Sequence, residues 1–212
     1  MQMMIVLFFI VSALTVKAAL PEAERNNFAA QYRLANNKAL PMSSRWKALL
    51  LAAEAANGSQ IQKIISFSKD KDWFMRNATL VALDKMGTDI VYDKATELIS
   101  DKSLVVRSAA ADILIRLNST SVRKIFSEEL TKKYNFNGKS SLWIRPQMLR
   151  HLAEKPLIQE KSFFTQLLHD KDPQMALISI EALQKLTDVR FSGKNEKEII
   201  SQWKSYAQQN KW

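Results

Sequence analysis

One phrase of nine residues returns along this chain. Asp70-Lys-Asp72-Trp-Phe-Met75-Arg76-Asn-Ala78 is followed 31 residues later by Asp101-Lys-Ser103-Leu-Val-Val106-Arg107-Ser-Ala109. A third copy, Asp170-Lys-Asp172-Pro-Gln-Met175-Ala176-Leu-Ile178, begins 69 residues beyond the second and lacks the Arg. Repetition at this period restricts the fold more than any local propensity does. A unit of this size cannot bury its apolar face alone and must stack on its neighbours.

Each copy opens a helical pattern. Ala78, Ala82, Leu83 and Met86 share one helix face, as do Ala109, Ile113, Leu114 and Leu117, and Ile178, Ala182, Leu183 and Leu186. The 69-residue gap has room for a further unit around Trp143-Ile-Arg145-Pro-Gln-Met148, and an earlier one begins near Ser44-Arg45-Trp46. In these two the apolar positions sit one place out of register with the Arg, so they read as degenerate copies. Second apolar helices are expected over 60–68, 90–100, 122–134 and 157–169. Gly58 and Gly87 separate first from second helices, and Pro41, Pro146 and Pro173 lie near the starts of first helices. Four Gly and five Pro are too few for the many turns of an all-β chain. The expectation is an all-α chain of about five antiparallel helix pairs, preceded by a helix over 21–36 and closed by one over 195–208.

The pattern Asp-x-Asp-x-x-hydrophobic-Arg-x-x-Ala resembles the HEAT repeat, in the short bacterial form also found in phycobilin lyases, over about residues 41–187. Leu186 to Gly193, with Trp203 and Trp212, looks like the tail that closes many exported bacterial HEAT proteins. The resemblance implies an α-solenoid with an N-terminal capping helix in 19–40 and a C-terminal tail and capping helix in 188–212. It also implies a ladder of Arg–Asp contacts between repeats. Asp70, Asp72, Asp101, Asp170 and Asp172 precede first helices, where a carboxylate can accept orphan backbone N–H groups for about 1 kcal/mol each. Arg76 and Arg107 are placed to meet an Asp of a neighbouring unit. Anion binding by the same Arg residues is the competing reading, and the repeating register favours stacking. The fold does not name an activity.

No constellation for catalysis stands out. With no Cys there is no thiol nucleophile, zinc–thiolate site or disulfide. His151 and His169 lie 18 residues apart without metal-ligand spacing or clustered carboxylates. Ser66-Phe-Ser-Lys69 and Ser121-Val-Arg-Lys124 match Ser-x-x-Lys without its partner motifs. The expectation is a non-enzymatic protein with no cofactor and no metal. Nucleic-acid binding or base excision, a distant association of HEAT-like folds, is disfavoured because no Trp/Asp/Arg cluster aligns.

Met3 to Val16 is an almost unbroken apolar run. Fourteen helical residues span ~21 Å, short of the ~30 Å hydrocarbon core. Val16-Lys17-Ala18 then offers a signal-peptidase site, so residues 1–18 read as a signal peptide cleaved after Ala18, although no Lys or Arg precedes the apolar core. An uncleaved peripheral anchor is the alternative. The mature chain would have no transmembrane segment and would be periplasmic or secreted, and monomeric. Loss of Lys17 lowers the net charge from +10 to +9. Outside the cytoplasm such an excess directs attention to acidic proteins, anionic polymers and lipid head groups.

Arg107 and Arg145 are 38 residues apart against 31 between Arg76 and Arg107, so about seven residues are inserted. The insertion, 134–143, carries Tyr134, Phe136, Gly138, Lys139 and Trp143. Insertions in repeat proteins emerge as loops, often on a binding face, and aromatics beside Arg are enriched at interface hot spots. Tyr134, Phe136, Lys139, Trp143, Arg145 and Arg150 are therefore the candidate binding residues. Phe136 and Trp143 have an alternative role as plugs between repeats. The expected partner is a protein or peptide. An anionic polymer or membrane surface meeting the basic stretch 123–161 is the runner-up.

Overall fold

The computed structural model describes residues 27–212, so the expected signal peptide and the first residues of the expected N-terminal helix lie outside the described residues. Among the described residues are eleven α-helices and one two-stranded hairpin. Apart from that hairpin the described residues are all-α, and none of these helices is long and apolar enough to cross a membrane. Helix α1 (Phe28–Asn36) is capped by Asn27, whose side chain accepts from the Ala30 N–H at 3.3 Å. Five longer helices follow at intervals: α2 (Met42–Glu54), α4 (Trp73–Lys85), α6 (Leu104–Leu117), α8 (Ile144–Glu154) and α10 (Pro173–Thr187). Shorter ones alternate with them: α3 (Ile61–Ile65), α5 (Ile90–Leu98), α7 (Thr120–Glu129) and α9 (Lys161–Leu167). Helix α11 (Glu196–Gln209) ends the series.

The longer helices pack in chain order, α2 on α4, α4 on α6, α6 on α8 and α8 on α10, with α1 against α2. Small residues are buried on each of these helices, though not in the first turns of α8. Ala52, Ala78, Ala82, Ala110 and Ala182 are buried, as are Leu49, Leu83, Leu114, Leu149 and Leu183. Each buried Leu contributes about 1.5–3 kcal/mol, and buried alanine favours the close end of the ~8–10 Å spacing of packed helices. The expected face of α6 is shifted: Val106, Ala110, Ala111, Ile113 and Leu114 are buried, whereas Leu117 is exposed where the helix ends.

The second helices are shorter than the sequence pattern indicates. Helix α3 is flanked by 3₁₀ turns at Gly58–Gln60 and Ser66–Lys69, and Ile158–Glu160 forms a 3₁₀ turn before α9. Ser66 explains part of this, because its hydroxyl donates to the Lys63 carbonyl at 2.7 Å and turns the chain early. Two helices end on left-handed residues that are not glycine, Asn118 after α6 and Asp188 after α10. At the C-terminal end Trp203 is buried, and Phe191, Tyr206 and Trp212 join it in a chain of edge-on ring contacts.

Candidate functional site

Four Arg side chains stand in the first turns of successive long helices: Arg45, Arg76 and Arg107 as the fourth residue and Arg145 as the second. Three of them reach the Asp lying 25 residues downstream. Arg45 meets Asp70 at 3.4 Å, with Asp72 nearer at 2.6 Å. Arg76 grips Asp101 through two bonds of 2.6 and 2.7 Å. Arg145 meets Asp170 at 2.5 and 3.3 Å. The remaining donors turn to backbone oxygens: Arg45 to Ala35, Arg76 to Asp70 and Lys71, Arg145 to Leu130. These guanidiniums are buried and occupied. Burial pushes the Asp101 carboxyl up, but its bonds from Arg76 and from the Ser103 N–H outweigh that and leave it below the ordinary carboxylate range. The same pairing raises Arg76, and Arg45 holds Asp72 low by its hydrogen bond.

The expected capping role of the acidic residues is corrected by this geometry. Only Asp172 accepts from its own helix, at the Gln174 N–H (3.0 Å). Asp72 occupies an N-cap position, but its carboxylate serves Arg45 instead. Asp70, Asp101 and Asp170 each accept the N–H two residues on, at 2.9, 2.7 and 2.9 Å, which fixes the turn and aims the second oxygen at the Arg.

Arg107 departs from the rule, and the insertion is the reason. Its expected Asp partner is replaced by Asn135, whose Oδ1 accepts from Nε at 2.9 Å, and by the Tyr134 carbonyl at 2.7 Å. Asn135 is buried, and its Nδ2 donates to the Glu129 carbonyl at 2.9 Å. The Tyr134 hydroxyl donates to the Glu129 carboxylate at 2.7 and 3.0 Å, and its ring lies 5.1 Å from the Arg107 guanidinium. Burial, then the Glu129 bond, raises the Tyr134 hydroxyl, and burial lowers Arg107. An Asp at position 135 would set a carboxylate against the Glu129 carbonyl and carboxylate. The amide satisfies both sides.

From Asn135 the chain forms strand β1 (Phe136–Asn137), a two-residue turn and strand β2 (Ser140–Ser141). Phe136 pairs with Ser141 and Asn137 with Ser140. Gly138 takes φ +62° as the first central residue of the turn, a conformation that costs a side-chain-bearing residue strain. The exit of the hairpin is held by Arg145, which donates to the Ser141 hydroxyl and lies 4.0 Å above the Phe136 ring. A guanidinium thus fastens each end of the insertion, Arg107 at entry and Arg145 at exit.

The six candidate binding residues separate accordingly. Arg145, 2% exposed, belongs to the buried Arg–Asp set and is corrected from binding residue to structural one. Phe136 is half-buried, with the Arg145 guanidinium 4.0 Å above its ring and the cleft beside it. Tyr134, though exposed at its edge, supports Arg107 and Glu129. Trp143 is 57% exposed and keeps only its indole N–H occupied, donating to the Ser108 hydroxyl at 3.0 Å. Lys139 and Phe136 line a cleft of about 600 Å³ with Lys133 and Gly138; its opposite wall is Gln166, His169, Asp170 and Lys171. Arg150 lies elsewhere, in a cleft of about 430 Å³ with Gln147, His151, Glu154, Glu181 and Lys185. There burial and then the Arg123 charge lower the His151 imidazole, whose ring sits edge-on to Phe126.

Gln166, His169 and Lys171 are missing from the expected site because the motif they adjoin, Asp170-Lys171-Asp172, reads in the sequence as the start of a repeat. The 25-residue step from Arg145 to Asp170 is the one signal that could have brought that segment beside the insertion. Among the described residues no group of three or more His, Asp or Glu converges as a metal site. No known protein family and no curated protein matches the chain.

Proposed function

We propose that this chain is an exported α-solenoid of about five HEAT-like helix pairs that binds a protein or peptide on its surface, as a non-enzymatic scaffold of the periplasm or extracellular space. The chain-order packing of α2, α4, α6, α8 and α10 and the recurring 25-residue Arg-to-Asp step support the stack. The observation that carries the binding role is the insertion. A hairpin pinned by two buried guanidiniums stands beside a cleft and an exposed Trp143. A preordered ledge of this kind loses little conformational entropy on binding.

Affinity capture from envelope extracts tests the reading, with the wild type compared against Trp143→Ala combined with Lys139→Glu. Both side chains are exposed, so the fold survives the change. The reading predicts a defined protein lost from the variant capture. Identical recovery of every captured protein removes the insertion as the binding surface. The second reading, contact with an anionic polymer or lipid surface, draws on the free lysines at the same place. It predicts binding that collapses as salt rises, whereas an interface with an apolar centre weakens little.

A further inference from the structure

We infer that the cleft between the 136–141 hairpin and the end of α9 receives a short acidic peptide segment, with spaced carboxylates reaching Lys133, Lys139 and Lys171 and an apolar side chain on Phe136. The inference rests on the protein-binding reading above and specifies the partner's chemistry. Three lines of geometry lead to it.

The first is charge. Among the described residues none of the three lysines takes part in an ion pair. The acid between them, Asp170, is already committed: its two oxygens take Arg145 and the Asp172 N–H. The lysines are thus left with no carboxylate of their own chain, an arrangement complementary to an anionic partner.

The second is shape. The cleft is open to solvent on one side, and its volume of about 600 Å³ is that of sites that hold a few peptide residues. The lysines come from two segments, Lys133 and Lys139 around the hairpin and Lys171 after α9, so the spaced carboxylates of a peptide suit them. Phe136 gives the floor an aromatic patch that a purely ionic ligand would leave unused.

The third is order. One wall is the hairpin, which Arg107 and Arg145 fix at entry and exit; the other follows directly on α9. The cleft therefore exists before the peptide arrives, and binding has little loop to order.

The test uses the mature chain and fluorescence anisotropy at about 0.15 M salt. The probe is a labelled, end-blocked pentapeptide, Glu-Asp-Phe-Glu-Asp; competitors are its Gln-Asn-Phe-Gln-Asn counterpart, polyphosphate, and vesicles of phosphatidylglycerol. Lys139→Glu/Lys171→Glu removes two cations of the cleft, and Lys47→Glu/Lys197→Glu makes the same change of net charge on exposed positions elsewhere. The expected result is saturable binding of the acidic probe, weakened about tenfold or more by the cleft variant and unchanged by the control variant. Equal weakening in both variants, no preference for the acidic probe over its amide counterpart, or displacement by polyphosphate or vesicles alone overturns the inference. Capture from envelope extracts with the same variants keeps the two levels apart. A partner retained by the cleft variant, with no binding of the probe, sinks the acidic-peptide cleft and leaves the scaffold reading intact; no partner captured by any form sinks the scaffold reading itself.

Discussion

Removing the Asp101 carboxylate should cost this chain several times what removal of a surface acid costs. The Arg76 and Asp101 side chains are 5% and 6% exposed. Asp101→Ala strands a buried guanidinium with two donors unmet, leaves the Ser103 N–H without its acceptor, and keeps only the two backbone bonds from Arg76 to Asp70 and Lys71. Deleting one member of a buried pair typically costs about 3–5 kcal/mol, because the remaining charge stays desolvated and uncompensated. At ~2–4 °C per kcal/mol for a domain of this size, the melting temperature falls by ~6–20 °C. The exposed pair Arg116–Asp84, 55% and 31% exposed, is the internal control, and Asp84→Ala should cost under about 1 kcal/mol. Urea unfolding of Asp101→Ala, Arg76→Met and the double variant closes a cycle. The double variant should be less destabilised than the sum of the singles by about 2 kcal/mol or more, since it leaves no stranded charge. A cost for Asp101→Ala no larger than that for Asp84→Ala, or strict additivity in the cycle, refutes the assignment of these pairs as joints between helices.

Asn135→Ala should destabilise by about 1.5–3 kcal/mol in the same urea assay, since a buried Arg107 donor loses its acceptor. Asn135→Asp should also destabilise, although it restores an Arg–Asp pair, because the carboxylate would face Glu129; a stabilised variant would contradict this account of the amide. Burial and Arg123 lower His151, so its contribution is present above the unfolded value of about 6.5 and is lost as pH falls through the lower folded value. Melting curves from pH 7.5 to 4.5 should show this loss in the wild type and a smaller one in His151→Gln. Gly138→Val should cost about 1–2 kcal/mol from φ +62° alone, with no steric clash to add to it, and a thermal melt reads that strain.

The helices were legible because their apolar residues recur at helical spacing, and the hairpin's position was legible because seven extra residues interrupt a constant period. Arg45 and Arg145 belong to the same register as Arg76, but the apolar pattern around them shifts by one place and hides it. Counting from Arg to Asp recovers the register, since 25 residues separate the partners in all three pairs. The roles of single side chains were less accessible. Asp72 looks like a cap until Arg45 arrives from the preceding long helix, and Arg145 looks like an interface residue until the fold buries it. Both outcomes depend on neighbours distant in the chain. The cleft has the same character: one wall is the insertion, and the other lies about 30 residues downstream at Asp170-Lys171-Asp172, a run that the sequence marks only as the start of a repeat.

Spin-label distances between matching positions on α2 and α10 test the stacked arrangement most directly. Ser43 and Gln174 are exposed, occupy the same place relative to Arg45 and Ala176, and lie in a chain with no Cys, so Ser43→Cys/Gln174→Cys carries the two labels alone. Five long helices packed in chain order at ~8–10 Å per step put these positions about 32–40 Å apart. Helices gathered round a common axis would hold the labels within about two helix diameters, ~20–24 Å. A single distribution near the longer distance is the predicted result, and one centred on the shorter distance contradicts the stack.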